Sequence, residues 1–230
     1  MEKSGLILEG GAMRSMFSAG VLDSFLDNEI EVPNVIAVSA GAYAGMNYVS
    51  GQRGRVLDAV IKPLETEKYM GFRTFLKKGT FFDMDQFFRV CRAANSMPFI
   101  AKITEIGGMP MLDGGMADAI PVVRTLEEGW KKIVVVMTRD KKYRKKQRHV
   151  YHKYPEFVHM VAGRAKKYND SLDMLEQLEK EGKAFILRPG EGMKLENNES
   201  DVERLKEYYR HGYEVSEEKK EELRDFLREQ

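Results

Sequence analysis

The sequence predicts an α/β fold with a mostly parallel central sheet and a mainly helical C-terminal extension. Three observations carry that expectation. Short apolar runs of strand-forming residues recur at 5–8, 32–38 and 133–138. Runs such as Ile133-Val134-Val135-Val136, apolar at every position, suit parallel strands covered on both faces. Helix-compatible stretches separate these runs, and after residue 140 apolar residues return at helical spacing within a highly charged tail.

The elements follow in order. Gly5-Leu6-Ile7-Leu8 reads as the first strand, and the turn Glu9-Gly10-Gly11-Ala12-Met13-Arg14-Ser15 leads into a helix with Phe17, Val21, Leu22 and Phe25 on one face. A second strand over 32–38 ends at Ser39, and Ala42-Tyr43-Ala44-Gly45-Met46 begins the next helix. Residues 118–129 are helix-compatible and precede the strand at 133–138. Beyond the basic run 139–148, a helix is expected over 156–181 with Gly182 as its C-terminal stop. Ala184-Phe185-Ile186-Leu187 then forms a short strand that ends before Pro189 and joins the main sheet. Two charged helices, near 201–210 and 216–228, complete the chain. The division expected is a core over 1–140 and an extension over 141–230.

Chemistry is concentrated at three turns. In Ala37-Val38-Ser39-Ala40-Gly41 a strand gives way to a helix at a serine with small neighbours, the layout of a nucleophile elbow, whose strained turn lifts the hydroxyl clear of the backbone. Gly41 and Gly45 lie one turn apart on the same face, where strand and helix must approach closely. The turn Gly10-Gly11-Ala12-Met13-Arg14 opens a helix, so unpaired N–H groups at the positive end of a helix dipole are available to a phosphate or to the oxyanion of acyl transfer. Finally, Asp113-Gly114-Gly115 holds a carboxylate in a tight turn. Any one of these motifs is common; an ordinary βα turn or a surface Asp-Gly explains each alone. Their order is far more specific.

With those residues in hand, the chain resembles the patatin-like phospholipases, notably bacterial members with a C-terminal extension. The segments Ala19-Gly20-Val21-Leu22 and Arg92-Ala93-Ala94-Asn95-Ser96-Met97-Pro98 are similar to family segments, and so is the tail around Tyr154-Pro155, Arg164, Tyr168-Asn169 and Tyr209-Arg210-His211-Gly212-Tyr213. The resemblance implies a three-layer patatin-like fold and a cofactor-independent serine hydrolase acting on lipid or other acyl esters. In that scheme Ser39 is the nucleophile and Asp113 its base. Gly10, Gly11, Ala12, Met13 and Arg14 form the oxyanion loop, Ala37 and Gly41 frame the elbow, and Gly114 and Gly115 complete the aspartate motif. The departures fall on glycines: Ala12, Ser15 and Ala37 stand where the family usually has glycine. If Ala12 must be left-handed, it costs about 1 kcal/mol or more. Between Phe81-Phe82-Asp83-Met84-Asp85 and Arg92 the family also carries a long stretch; here it is either truly absent, or the sequence omits part of the natural chain. The competing class is a lipid-binding or scaffold protein with an impaired site.

Composition narrows the field. The 230 residues are 43% hydrophobic, enough for one substantial core, and a net charge of +1 argues against a surface matched to nucleic acid. The single Cys91 excludes an intrachain disulfide, and beside Phe87, Phe88 and Val90 it reads as buried and inert. No run is long enough to span a bilayer and 5–8 is too short for a signal segment, so a soluble, cytoplasmic protein is expected. A Ser-Asp-His triad is permitted by chain order, since His149, His152, His159 and His211 all follow Asp113, but these sit in basic or amphipathic helical contexts. No acidic or cysteine ligands accompany His149 and His152 at metal-binding spacing. The 10–15 turn lacks the glycines of a dinucleotide fingerprint and the Gly-Lys-Ser/Thr of a phosphate loop. The run 139–148, with seven cations and one acid, reads as a solvated loop or as a peripheral contact with anionic membrane. Trp130 reads as core.

Overall fold

A computed structural model of the chain describes residues 4–66, 86–97, 101–147 and 161–228. Four strands, β1 (Ser4–Leu8), β2 (Asn34–Ala37), β5 (Lys132–Val136) and β6 (Ala184–Leu187), form a wholly parallel sheet in the order β2-β1-β5-β6. The chain therefore starts in the middle of the sheet, adds β2 on one side, and returns to the other. A separate two-stranded antiparallel hairpin pairs β3 (Thr104–Ile106) with β4 (Met109–Met111).

Alternation along the strands assigns the two faces. Leu6, Leu8, Val134 and Val136 point toward α1 (Ser15–Asp27), α2 (Ala40–Val49), α3 (Arg55–Thr66) and α7 (Val202–Arg228). Ile7, Ile133, Val135 and Ile186 point toward α5 (Val122–Glu127) and α6 (Arg164–Lys180), which supply Val122, Tyr168, Leu172, Leu175 and Leu178. The remaining helix, α4 (Gln86–Ala94), precedes the hairpin. Helices on both faces explain why these strands are apolar at every position, and each fully buried Leu, Ile, Val or Phe contributes about 1.5–3 kcal/mol.

The expected strands and the α1 face are present within a residue or two, and residues 184–187 do join the main sheet. One expectation needs correction. The tail holds one continuous helix of 27 residues, not two. Gly212, in its middle, is a packing residue rather than a break: a Cβ there would lie 2.1 Å from the Phe17 carbonyl oxygen, and one at Gly20 would lie 2.0 Å from the Tyr209 carbonyl oxygen. The two glycines thus let α1 and α7 touch backbone to backbone. That contact places Leu205, Tyr208 and Leu223 inside the same core cluster as Leu6 and Phe17.

The helix expected over 156–181 is described only from 161 onward, and its end is as expected: Gly182, at φ +67°, takes the left-handed conformation that stops helices. The hairpin, by contrast, was not anticipated. Its two-residue turn Gly107-Gly108 has φ of +57° and +78°, the conformation that primed hairpin turns demand. Trp130 is core-facing, packed over Gly5, where a Cβ would meet its ring at 1.8 Å. The Cys91 side chain, His149, His152, His159 and the 81–85 segment lie outside the described residues.

Candidate active site

Ser39 is the last residue before α2 and sits at φ +54°, ψ −130°, a combination non-glycine residues rarely adopt. The strain comes from the sharpness of the turn. Val38 N–H still follows the sheet, donating to Leu8 O at 3.1 Å, while Gly41 N–H already donates back to Val38 O at 3.0 Å. There is no room for a side chain around it. A Cβ on Gly41 would lie 2.9 Å from Glu9 O, and one on Gly10 would lie 2.8 Å from the Ser39 Cβ itself. Gly45 is one turn further on, where a Cβ would lie 3.0 Å from Leu8 Cδ1 and 3.5 Å from the Ala37 Cβ.

Asp113 reaches the same place from 74 residues away. It follows β4, caps the short turn Gly114–Met116, and is 6% exposed. Its Oδ1 accepts from Gly115 N–H at 2.8 Å and its Oδ2 accepts from Ser39 Oγ–H at 2.5 Å. Asp113 N–H is tied to Ser96 O at 3.0 Å, and Arg164 Nε donates to Gly115 O at 2.8 Å. The carboxylate is therefore held from both sides of its turn, with one oxygen left to the serine. Charge-assisted O–H···O contacts are short in this way.

The glycine-rich loop closes the third side. Ala12 is at φ +49°, so the left-handed position does exist at this alanine, at a cost of about 1–2 kcal/mol. Ser15, another departure from glycine, donates its hydroxyl to Ala12 O at 2.7 Å and helps hold the loop. Two of the five candidate oxyanion donors are engaged: Met13 N–H donates to Asn197 O at 3.3 Å and Arg14 N–H to Gly11 O at 3.1 Å. No backbone acceptor among the described residues takes the N–H of Gly10, Gly11 or Ala12.

Ser39, Asp113 and this loop line a cavity of about 100 Å³. Its remaining wall contains the Arg14 side chain and others, among them Glu9 and Arg139, to which the sequence motifs assign no catalytic role. Glu9, 3% exposed, accepts from Thr138 N–H at 2.6 Å, Thr138 Oγ at 2.9 Å and Tyr168 OH at 2.6 Å. Burial, together with the Glu9 carboxylate, pushes the Tyr168 phenol far above its usual range. Arg14, Arg139, Lys145 and Arg164 also line the cavity. Burial, and then the neighbouring Arg139, lowers the Arg14 pKa. Burial also lowers Lys145 to about 8, assisted by Arg164, Arg14 and Arg139 against the opposing pull of Glu9.

The basic run is therefore not a uniform solvated loop. Lys142 pairs with Glu191, Arg144 pairs with Asp173 and Glu176, and Lys145 turns inward over the Tyr168 ring, 4.4 Å from its centroid. Asn169 is the reason, since its amide clamps the Lys145 backbone at both N–H and carbonyl. Only the proximity of α6 and of Glu191 reveals this; the run's composition does not.

His211, the one histidine among the described residues, is elsewhere. Its ring packs 5.7 Å from Phe17 and its Nε2 accepts from Gly190 N–H. Among the described residues no group of three or more His, Cys, Asp or Glu side chains is placed to hold a metal ion, and no helix is long and apolar enough to cross a membrane.

Residues 154–228 match the model of a family described as a domain of unknown function (DUF6363). That segment supplies Arg164, Tyr168 and Asn197 to the cavity. The chain is also similar to the uncharacterized protein YjjU of Escherichia coli (strain K12), at 24% identity over 182 residues, covering 58% of this chain and 51% of that protein. The chain thus spans about half the length of the curated relative it matches.

Proposed function

We propose that this protein is a serine acyl hydrolase of the patatin-like type, with a three-layer α/β core that cleaves lipid or other acyl esters through a Ser39–Asp113 dyad. The observation that carries this reading is the 2.5 Å hydrogen bond from Ser39 Oγ to Asp113 Oδ2, made by a serine strained at φ +54° between a parallel strand and a helix. A hydroxyl needs a base to become a useful nucleophile, and a buried carboxylate already accepting its proton meets that need.

In this mechanism Asp113 takes the Ser39 proton as Oγ attacks the acyl carbonyl. The negative charge that forms on the carbonyl oxygen is met by N–H groups of Gly10, Gly11 and Ala12 at the start of α1. Collapse of the tetrahedral intermediate breaks the bond to the alcohol, which leaves with the proton from Asp113. Water, deprotonated by Asp113, then cleaves the acyl-Ser39 ester and releases the acid. No cofactor enters the scheme. Arg164 and Gly115 position the base; they do not touch the reacting atoms.

A second reading, an impaired site that binds lipid without cleaving it, is favoured by the left-handed Ala12 and by the engaged N–H of Met13. Labelling with a fluorophosphonate probe separates the two. An active dyad gives a single adduct, mapped to Ser39 and absent from Ser39→Ala. Folded protein with no adduct at Ser39 would overturn the hydrolase reading.

A further inference from the structure

The cationic wall of the cavity is more than the dyad requires. Arg14, Arg139, Lys145 and Arg164 face it, against two carboxylates, Glu9 and Asp113. Both carboxylates are already committed, Glu9 to Thr138 and Tyr168, Asp113 to Ser39 and Gly115. Arg14 Nε and Arg139 Nε are buried without a hydrogen-bond acceptor among the described residues. Buried donors are almost always paired, so two orphan guanidinium N–H groups at one cavity call for an explanation. Arg139 and Lys145 are held by aromatic faces, Tyr143 at 4.6 Å and Tyr168 at 4.4 Å. Those contacts position the cations without consuming their N–H donors.

We infer that this cavity is a binding site for a phosphate group, held by Arg14, Arg139, Lys145 and Arg164 directly beside Ser39. Planar guanidinium forks match the oxygens of a phosphate in pairs, and a doubly charged anion offsets the excess positive charge. The space agrees with this: about 100 Å³, where a water needs about 10–15 Å³ by the same measure, admits a tetrahedral oxyanion. Arg14 comes from the oxyanion loop, Arg139 follows β5, and Lys145 and Arg164 belong to the segment after residue 140, so the site is assembled only in the folded chain. As a statement about substrate, that the cleaved ester carries a phosphate, the inference rests on the acyl-hydrolase reading; as a binding site it does not.

Lys145 gives the site a pH signature. The charged and titratable groups around it are Glu9 at the end of β1, Arg14 before α1, Arg139 after β5, and Arg164 and Tyr168 on α6, with Tyr143 beside Arg139. Burial holds Lys145 at about 8, so its charge, and with it anion affinity, falls as pH rises through that value.

The test has two arms. In the first, inorganic phosphate is titrated into the full chain at pH 7 and fixed ionic strength, followed by calorimetry, with sulfate as a probe whose charge does not change between pH 7 and 9. Saturable one-to-one binding is expected. Arg139→Met and Lys145→Met, each checked for an intact melting transition, weaken it at least about tenfold, while Lys146→Met, exposed and outside the cavity, does not. Sulfate affinity falls between pH 7 and 9 in wild type and not in Lys145→Met. In the second arm, dihexanoylphosphatidic acid below its micelle concentration is compared with dihexanoylglycerol. A phosphorylated headgroup as the source gives a kcat/KM preference of at least about tenfold that disappears in Lys145→Met; phosphate binding without that preference identifies free phosphate as the source. Absence of phosphate binding, or binding insensitive to both cavity variants, overturns the inference even if esters are cleaved. Phosphate binding with no ester cleaved leaves the site standing and removes the hydrolase reading instead.

Discussion

Asp113→Asn separates the proposed role of Asp113 as base from everything else Asp113 does. The substitution is nearly isosteric. Its amide oxygen can still accept from Gly115 N–H, now at 2.8 Å from Asp113 Oδ1, and the backbone link from Asp113 N–H to Ser96 O is untouched. What changes is the atom facing Ser39. An acceptor 2.5 Å from Oγ becomes an NH2 donor, so the serine keeps a partner but loses the group that takes its proton. Loss of a general base costs at least about a hundredfold in kcat, which is about 2.7 kcal/mol of barrier. Stability should change by less than about 1 kcal/mol, because the turn keeps its hydrogen bonds and its volume. Hydrolysis of a soluble short-chain p-nitrophenyl ester, with thermal melting alongside, measures both. The control is His211→Gln: that ring lies against Phe17 and Gly190, so turnover should stay within a few-fold of wild type. If Asp113→Asn retains a third or more of wild-type kcat while folded, or if His211→Gln loses as much, the dyad is refuted.

Three further outcomes follow from the same geometry. Ala12→Gly relieves a left-handed alanine worth about 1–2 kcal/mol, partly offset by glycine's extra freedom when unfolded, about 0.5–1 kcal/mol; chemical denaturation should show a small gain, and kcat should hold or rise. A large loss of kcat with folding intact would mean the oxyanion loop lies elsewhere. Gly212→Ala forces a methyl to within 2.1 Å of the Phe17 carbonyl, so α1 and α7 must separate, at about 1–3 kcal/mol; an unchanged urea midpoint would contradict that crossing. Lys145→Met should raise the melting temperature below pH 8. The folded chain holds Lys145 at about 8 against an ordinary 10.5, so between those values the unfolded state binds the extra proton and wild-type stability rises with pH. The gain from Lys145→Met therefore shrinks across that window, and a gain that stays constant to pH 11 would show that Lys145 is not desolvated.

Much of this was legible in the sequence, for identifiable reasons. Strands buried on both faces must be apolar at every position, and 5–8, 133–137 and 184–187 are. A strand-to-helix turn too tight for side chains requires the glycines seen at 10, 41 and 45, so Ser39 was marked by its neighbours. The motif order placed Asp113 as its partner. Errors arose where local signals had two meanings. Gly212 can break a helix or let two helices touch, and only α1 on the other side decides between these. Gly107-Gly108 is a hairpin signal only once flanking strands are known to pair, and the three-residue strands on either side are too short to announce themselves.

By itself, then, the sequence determined the strands, the strained serine turn and the candidate pair Ser39 and Asp113, because each depends on side-chain volume and backbone freedom within a few residues. Tertiary structure alone decided the sheet order, the 2.5 Å meeting of residues 74 positions apart, and the inward turn of Lys145. Electrostatics explains the difference. A lysine in a basic run has no fixed meaning until its neighbours in space are known: burial lowers Lys145 to about 8, helped by Arg164 on α6, Arg14 before α1 and Arg139 after β5, while Glu9 at the end of β1 opposes the shift.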